Sequence, residues 1–209
     1  MQKKEVKAVL FDLDGVLVDS FDAWFHTFND GLKTFGLRTL SKEEFSKDFG
    51  APIESDMKKY FIGKTIKKVK NMHNSNFVKW KNRVKLFPES KITLKKLKKE
   101  KIKLGLISNS TKFIVNLILK HNKIKNYFDV IMTLEDVKKR KPAPDMIILA
   151  CKKLKIKPEN AILVGDTKND MLAGKRAGCI TVGYRIKGEY KIDNLNEILN
   201  MLSTENRKF

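Results

Sequence analysis

The feature that most constrains the fold is a short apolar segment that ends abruptly in two carboxylates. Residues 8–11 (AVLF) form an uninterrupted apolar run, which is followed by Asp12, Leu13, Asp14 and Gly15. Such a run is typical of a parallel strand that is buried on both faces of a sheet. Because open α/β sheets bind ligands at the carboxyl ends of their strands, we expect Asp12 and Asp14 to lie at a functional site.

The same two carboxylates predict a bound cation. Asp12 and Asp14 are separated by a single residue, so their negative charges repel each other. Mg²⁺ is the natural candidate because it is a hard cation that prefers oxygen ligands. Gly15 lets the chain leave the strand in a conformation that a Cβ atom would hinder.

Strands alternate with helices in most of the remaining sequence. Strands are predicted at 102–107, 128–132, 161–164 and 180–184, and helices at 90–101, 111–122, 145–154, 171–177 and 195–202. This alternation predicts an α/β fold with a doubly wound parallel sheet. Residues 20–85 differ, because their apolar residues recur at helical spacing and show no buried-strand pattern. We therefore predict a core domain of residues 1–19 and 86–209 and an all-helical domain of residues 20–85.

Three further segments place polar residues next to predicted elements. Residues 104–109 (LGLISN) form an apolar strand that ends in Ser108, and residues 162–170 (ILVGDTKND) form another that ends before Asp166. Lys141 lies in the sequence KPAPD, just before a predicted helix. Together with DLDG, and in this order, these segments resemble the four motifs of the haloacid dehalogenase-like superfamily of phosphohydrolases. The resemblance implies a Rossmann-type core, and the helical segment resembles the C1-type cap of that superfamily.

The resemblance also implies catalytic and metal-binding roles for the four aspartates. Asp12 would be the nucleophile that forms an aspartyl-phosphate, and Asp14 would be the general acid and then the general base. Asp12, the backbone carbonyl of Asp14, and Asp166 would bind Mg²⁺. Asp170 would hold a water on the metal; the alternative is a carboxylate that favours the N-terminal end of a helix.

The substrate phosphate is expected to bind to residues of the second and third motifs. Ser108 would donate its hydroxyl, Asn109 its backbone N–H, and Lys141 would bring a positive charge to the phosphate oxygens and to Asp12. The neighbouring residues 138–140 are expected to be solvated. The aromatic stripe that includes Trp24 is expected to form the core of the helical domain.

The charge of the chain is strongly positive, with 44 Lys and Arg against 24 Asp and Glu, a net of +20. The cations are mainly scattered lysines without an aromatic-interleaved stripe, which favours a solvated surface over a nucleic-acid site. The apolar runs are shorter than a membrane span requires, and the N-terminal apolar run leads directly into Asp12, which argues against a signal peptide. Cys151 and Cys179 are expected to be buried thiols. We expect a cytoplasmic monomer or homodimer.

These observations predict a Mg²⁺-dependent phosphatase for small phosphorylated metabolites, similar to phosphoglycolate phosphatases. A sugar-phosphate mutase, a pyrophosphatase and a polyanion-binding protein remain alternatives. Val16 is also found in relatives that resemble β-phosphoglucomutase. However, that branch has Glu where this chain has Gly165, and its cap has His where this chain has Trp24. Gly165 is expected to leave space for water, so both differences favour hydrolysis over isomerisation.

Overall fold

The computed structural model describes residues 5–51 and 53–202. The strands are β1 (Ala8–Phe11), β2 (Val18–Asp19), β3 (Lys85–Leu86), β4 (Lys103–Ile107), β5 (Val130–Met132), β6 (Ala161–Gly165), β7 (Ile180–Tyr184) and β8 (Tyr190–Ile192). The α-helices are α1 (Phe21–Thr34), α2 (Lys42–Ser46), α3 (Ile53–Lys59), α4 (Ile66–Trp80), α5 (Ser90–Lys99), α6 (Lys112–His121), α7 (Asp145–Leu154), α8 (Lys168–Ala177) and α9 (Glu197–Met201).

The core of the described chain is a six-stranded parallel sheet with the strand order β5-β4-β1-β6-β7-β8. All four residues of β1 are buried, and they alternate between the two faces. Val9 and Phe11 pack in a cluster with residues of α5, α6 and α9, whereas Ala8 and Leu10 pack in a cluster with residues of α7 and α8. The predicted doubly wound α/β fold is therefore confirmed.

The position of β1 determines where the polar residues meet. Because β1 pairs with β4 on one side and β6 on the other, the chain segments after these three strands emerge at the same edge. The backbone N–H of Asp12 donates to the carbonyl of Val164 (2.9 Å), and that of Ser108 donates to the carbonyl of Met132 (3.0 Å). The sheet register therefore extends to the first polar residue after β1 and after β4.

Helices α1 to α4 share an aromatic cluster of their own. Phe28, Phe45 and Phe61 are buried there, and the ring centroids of Phe28 and Phe61 lie 5.1 Å apart. Ser41 and Glu44 form a capping box at the start of α2. The division of the chain into two domains at residues 20 and 85 stays a prediction.

Several local details differ from the sequence prediction. The short antiparallel pair of β2 and β3, which joins the chain where it leaves and re-enters the core, was not predicted, and neither was β8. Cys151 and Cys179 are buried free thiols. Within the described residues, the helices are too short or too polar to cross a membrane.

Gly174 lies where α8 packs against the sheet, so a substitution there tests this packing. A Cβ atom at Gly174 would lie 2.6 Å from Thr181 Cγ2 and 3.0 Å from Leu163 Cδ2, and both neighbours belong to central strands. We expect Gly174→Ala to lower the free energy of unfolding by about 1–3 kcal/mol, as overpacking does. Gly31→Ala is the matched control, because Gly31 is also helical but faces the flexible end of Met72. Equal urea-unfolding midpoints for both variants would contradict this packing.

Asp56 on α3 predicts a pH-dependent stability. Burial raises the pKa of Asp56 to about 7, and the carboxylates of Asp48 and Glu54 add to this effect. Between the ordinary pKa near 3.8 and about 7, the folded state holds more protons than the unfolded state, so the free energy of unfolding falls as pH rises through this window. This loss is complete above the folded-state pKa.

We therefore expect Asp56→Asn to stabilise the protein more at pH 8 than at pH 5, by on the order of 2–4 kcal/mol. Urea unfolding of the wild type and the variant at both pH values measures the difference. If the variant changes the free energy of unfolding equally at pH 5 and pH 8, Asp56 does not bind a proton on folding.

Candidate active site

Residues 12–15 (DLDG) form a tight turn next to the end of β6. Gly15 has φ +80°, and a Cβ atom there would overlap the carboxylate of Asp166, so only glycine permits this close approach. The turn is closed by hydrogen bonds from Gly15 N to the carbonyl of Val18 (2.8 Å) and from Leu17 N to that of Leu13 (3.0 Å). Asp12 and Asp14 are thereby held at the edge of the sheet where β6 ends.

Lys141 connects the strand ends. Its Nζ donates to Asp12 Oδ1 (2.7 Å), to Asp170 Oδ1 (2.6 Å) and to the carbonyl of Ile107 (3.0 Å). Lys141 is only 3% exposed. Burial opposes its charge, but the two carboxylates outweigh burial and hold the pKa of Lys141 above its ordinary value. The ammonium group is therefore charged and is held by three acceptors.

The side chain of Asn109 fixes the backbone of Lys141. Asn109 Nδ2 donates to the carbonyl of Lys141 (3.1 Å), and the N–H of Lys141 donates to Asn109 Oδ1 (3.1 Å). The sequence suggested a phosphate contact through the backbone N–H of Asn109 but did not indicate this role of its amide. Ser108 is buried, and its Oγ accepts a hydrogen bond from the N–H of Ser110 (3.1 Å).

Asp170 is engaged by the protein itself. Its Oδ1 binds Lys141, and its Oδ2 accepts hydrogen bonds from the N–H of Thr167 (3.1 Å) and from the hydroxyl of Thr167. Thr167 and Asp170 thus form the capping box of α8. This contact supports the alternative hypothesis, in which Asp170 stabilises the N-terminal end of the helix. The space beside Gly165 is filled by Asp170 rather than left for water, because a Cβ atom there would overlap the Asp170 side chain.

Asp14 has three donors that the sequence did not identify. Its Oδ1 accepts hydrogen bonds from the hydroxyl of Ser20 and from Trp24 Nε1 (3.1 Å), and its Oδ2 accepts one from Ser110 Oγ (3.2 Å). Trp24 was expected to serve only as core of the helical segment. Its ring does pack against the aromatic cluster of α1 to α4, and it also lies 4.9 Å from the ring of Phe77, but its N–H donates to Asp14.

The site contains more negatively charged carboxylates than the positive charge of Lys141 can neutralise. Burial raises the pKa of Asp12 well above its ordinary value; Lys141 opposes this, while Asp170, Asp166 and Asp14 add to it. Burial, followed by the charge of Asp170, raises the pKa of Asp166 to about 7. Oxygens of Asp12, Asp166 and Asp170 lie within 4.8 Å of one another. Asp166 Oδ1 is buried and has no hydrogen-bond partner among the described residues.

The site forms the floor of a cavity of about 290 Å³ between the sheet edge and α1–α4. Its walls include aromatic rings and several polar groups of the helical segment: Trp24, Phe28, Phe45, Phe49, Tyr60, Asp48, Asp56, Lys70 and His73. Arg140 pairs with Glu54 of α3 and is largely shielded, so the expectation that it is solvated was wrong. This ion pair joins the loop of Lys141 to the helices above the cavity.

Known proteins resemble this chain over nearly its whole length. Residues 9–184 match the family described as haloacid dehalogenase-like hydrolase. A pyrophosphatase PpaX from Bacillus velezensis is 30% identical over 212 residues, which cover 96% of this chain and 98% of that protein. The crystal structure of a predicted phosphoglycolate phosphatase from Haemophilus somnus superposes with a TM-score of 0.79 at 25% identity, covering 95% of this chain and 98% of that chain.

A mutase shares the fold as well. The structure of β-phosphoglucomutase from Clostridium difficile gives a TM-score of 0.80 at 22% identity and covers 97% of both chains. The fold alone therefore does not separate hydrolysis from isomerisation. The family match, the coverage of the relatives and the order of the four motifs agree with one another. The chain belongs to the haloacid dehalogenase-like hydrolases, and it is a phosphatase of that family.

Proposed function

We propose that this phosphatase hydrolyses small phosphate monoesters through an aspartyl-phosphate on Asp12 and depends on Mg²⁺. The observation that carries the proposal is the position of Asp12, whose Oδ1 is fixed by Lys141 while its carboxylate lines the floor of the cavity. Asp12 Oδ2 accepts no hydrogen bond from the described residues, so it is available to attack. A fixed, partly unpaired carboxylate at the base of a small cavity suits nucleophilic catalysis.

In the first step, an oxygen of Asp12 attacks phosphorus and the bond from phosphorus to the leaving oxygen breaks. Asp14 donates a proton to that oxygen. In the second step, Asp14 takes a proton from a water that attacks phosphorus, the bond to Asp12 breaks, and inorganic phosphate is released. The hydrogen bonds from Ser20, Trp24 and Ser110 support this role because they hold the Asp14 carboxylate in one orientation.

Charge on the transferring phosphoryl group is stabilised by Ser108, Asn109 and Lys141. The Ser108 hydroxyl, whose oxygen accepts from Ser110, retains its proton for donation to a phosphate oxygen. The Asn109 amide is committed to Lys141, so the contact we propose for Asn109 is through its backbone N–H. Lys141 supplies the fixed positive charge.

The residues at the site fit a divalent cation. Asp166 Oδ1 is a buried oxygen without a hydrogen-bond partner in the described chain, and it lies within 4.8 Å of oxygens of Asp12 and Asp170. Such a set of hard carboxylate oxygens suits Mg²⁺. We propose Asp12, Asp166 and the backbone carbonyl of Asp14 as ligands. Because both oxygens of Asp170 are engaged, we place Asp170 behind a water. When bound, the metal would offset negative charge on the phosphate oxygens.

Helices α1 to α4 would act as a cap. Their side chains form the roof of the cavity, and the ion pair of Arg140 with Glu54 spans the gap between the cap and the core. We propose residues 20–85 as this cap domain. A cap excludes bulk water and large substrates from the phosphorus.

Pyrophosphate is a second candidate substrate. Relatives named pyrophosphatase PpaX are 27–32% identical to this chain and align along most of it. The chemistry at Asp12 is the same, since the leaving group is then a phosphate. The aromatic walls of the cavity favour a leaving group that contains carbon.

Product analysis tests the proposed function. We expect wild-type protein with Mg²⁺ to release inorganic phosphate from at least one member of a panel of 2-phosphoglycolate, pyrophosphate and β-glucose 1-phosphate, and to form no glucose 6-phosphate. Asp12→Asn should remove turnover while the urea-unfolding midpoint shows a folded protein. Glucose 6-phosphate forming faster than free phosphate would instead indicate a mutase, and phosphate release by Asp12→Asn would exclude Asp12 as the nucleophile.

Metal removal tests the proposed dependence on Mg²⁺. After dialysis against EDTA and then metal-free buffer, we expect phosphate release to fall to background, because Asp12, Asp14 and Asp166 then repel an anionic substrate. Added Mg²⁺ should restore it. The control is a protein dialysed in parallel without EDTA. Undiminished phosphate release from protein whose metal content is verified as negligible would refute the dependence.

A further inference from the structure

Helix α4 carries a buried polar group that the proposed mechanism does not use. His73 is 7% exposed and lines the same cavity as Asp12. Its Nε2 is buried and has no hydrogen-bond partner among the described residues. An unpaired buried nitrogen of this kind destabilises the folded protein, so its presence in the wall of a cavity requires a reason.

The surroundings of His73 do not supply that reason. Its ring lies 5.7 Å from that of Trp24, 5.9 Å from that of Phe28 and 6.0 Å from that of Phe61. Burial lowers the pKa of His73 to about 4, so the ring is neutral near pH 7 and has one donor and one acceptor nitrogen. A phenylalanine would satisfy this aromatic cluster without leaving a nitrogen unpaired.

Lys70 lies one turn earlier on α4 and lines the same cavity. Elsewhere in the cavity wall, Asp48 is already paired with Lys59 and accepts a hydrogen bond from Tyr60. Lys70, in contrast, pairs with no carboxylate of residues 5–51 and 53–202 within 4.0 Å. It therefore brings a positive charge that is not held in an ion pair to the roof, on the same helix as the unpaired nitrogen.

Resting on the proposed function, we propose that Lys70 and His73 form a binding site for an anionic leaving group. The phosphate being transferred lies on Asp12 at the floor, and an oxygen-bearing anion at the other end of the substrate pairs with Lys70 and hydrogen-bonds to His73 Nε2. That anion is a carboxylate or a second phosphate, and the cavity of about 290 Å³ restricts the connecting part to a few atoms. Lys70 and His73 determine specificity and take no part in the bond-breaking steps.

Binding measurements test this site independently of turnover. Asp12→Asn protein with Mg²⁺ is titrated calorimetrically with 2-phosphoglycolate and with ethyl phosphate, which differ only in a carboxylate and a methyl group on the leaving side. We expect at least tenfold tighter binding of 2-phosphoglycolate. Adding Lys70→Met or His73→Phe should reduce this preference to less than threefold. Pyrophosphate in a third titration shows whether the site prefers a phosphate to a carboxylate.

Two controls separate binding from folding. Asn76→Leu removes another buried nitrogen without a partner from α4, but Asn76 does not line the cavity. Lys67→Met removes an exposed charge from the same helix. We expect His73→Phe and Asn76→Leu to unfold at an equal or higher urea concentration than their parent, and only His73→Phe to reduce the preference.

The outcomes distinguish a failure of the leaving-group site from a failure of the proposed function. If the anionic ligands bind no tighter than ethyl phosphate, or if the preference persists in both Lys70→Met and His73→Phe, the leaving-group site is overturned, whatever the turnover. If the preference depends on these residues but wild-type protein releases no phosphate from any ester or from pyrophosphate, the site stands and the proposed phosphatase reaction fails.

Discussion

The buried ammonium group of Lys141 is the interaction on which the rest of the site depends. It lies between the carboxylates of Asp12 and Asp170, at 2.7 and 2.6 Å, and also binds the carbonyl of Ile107. Removing one partner from such a buried ionic group leaves an uncompensated charge, which costs several kcal/mol. Lys141 therefore fixes the end of β1 against the end of β4 and the start of α8.

The excess of carboxylates over cationic groups at the site creates a need for a further cation. Lys141 pairs with Asp12 and Asp170, the charges of Asp166 and Asp14 also act on Asp12, and Asp166 Oδ1 has no partner in the described chain. A phosphate ester would add further negative charge at the same place. This excess is the physical basis of the Mg²⁺ proposal, and it arises because three parallel strands end at one edge of the sheet.

Much of this arrangement was predictable because it is encoded locally. An apolar run followed by aspartate identifies a strand end, and Ser41 with Glu44 identifies a helix start, whatever the rest of the chain does. The hydrogen bond from Trp24 to Asp14 and the ion pair of Arg140 with Glu54 were not predictable. Both depend on how the helices lie over the sheet, and no pattern within one segment encodes that placement. Sequence periodicity correctly placed Trp24 on an apolar helix face but could not show that its N–H reaches the site.

Trp24 shows how the two parts of the molecule are coupled. Its ring packs against Phe77 of α4, and its Nε1 donates to the carboxylate that we propose as the proton donor. The opposite oxygen of Asp14 accepts from Ser110, which follows β4 in the core. Asp14 is thus held between the core and the helices above it, and a change in the position of α1 would alter only one side of this arrangement. The orientation of Asp14 that we propose for proton transfer therefore depends on contacts from both the core and α1.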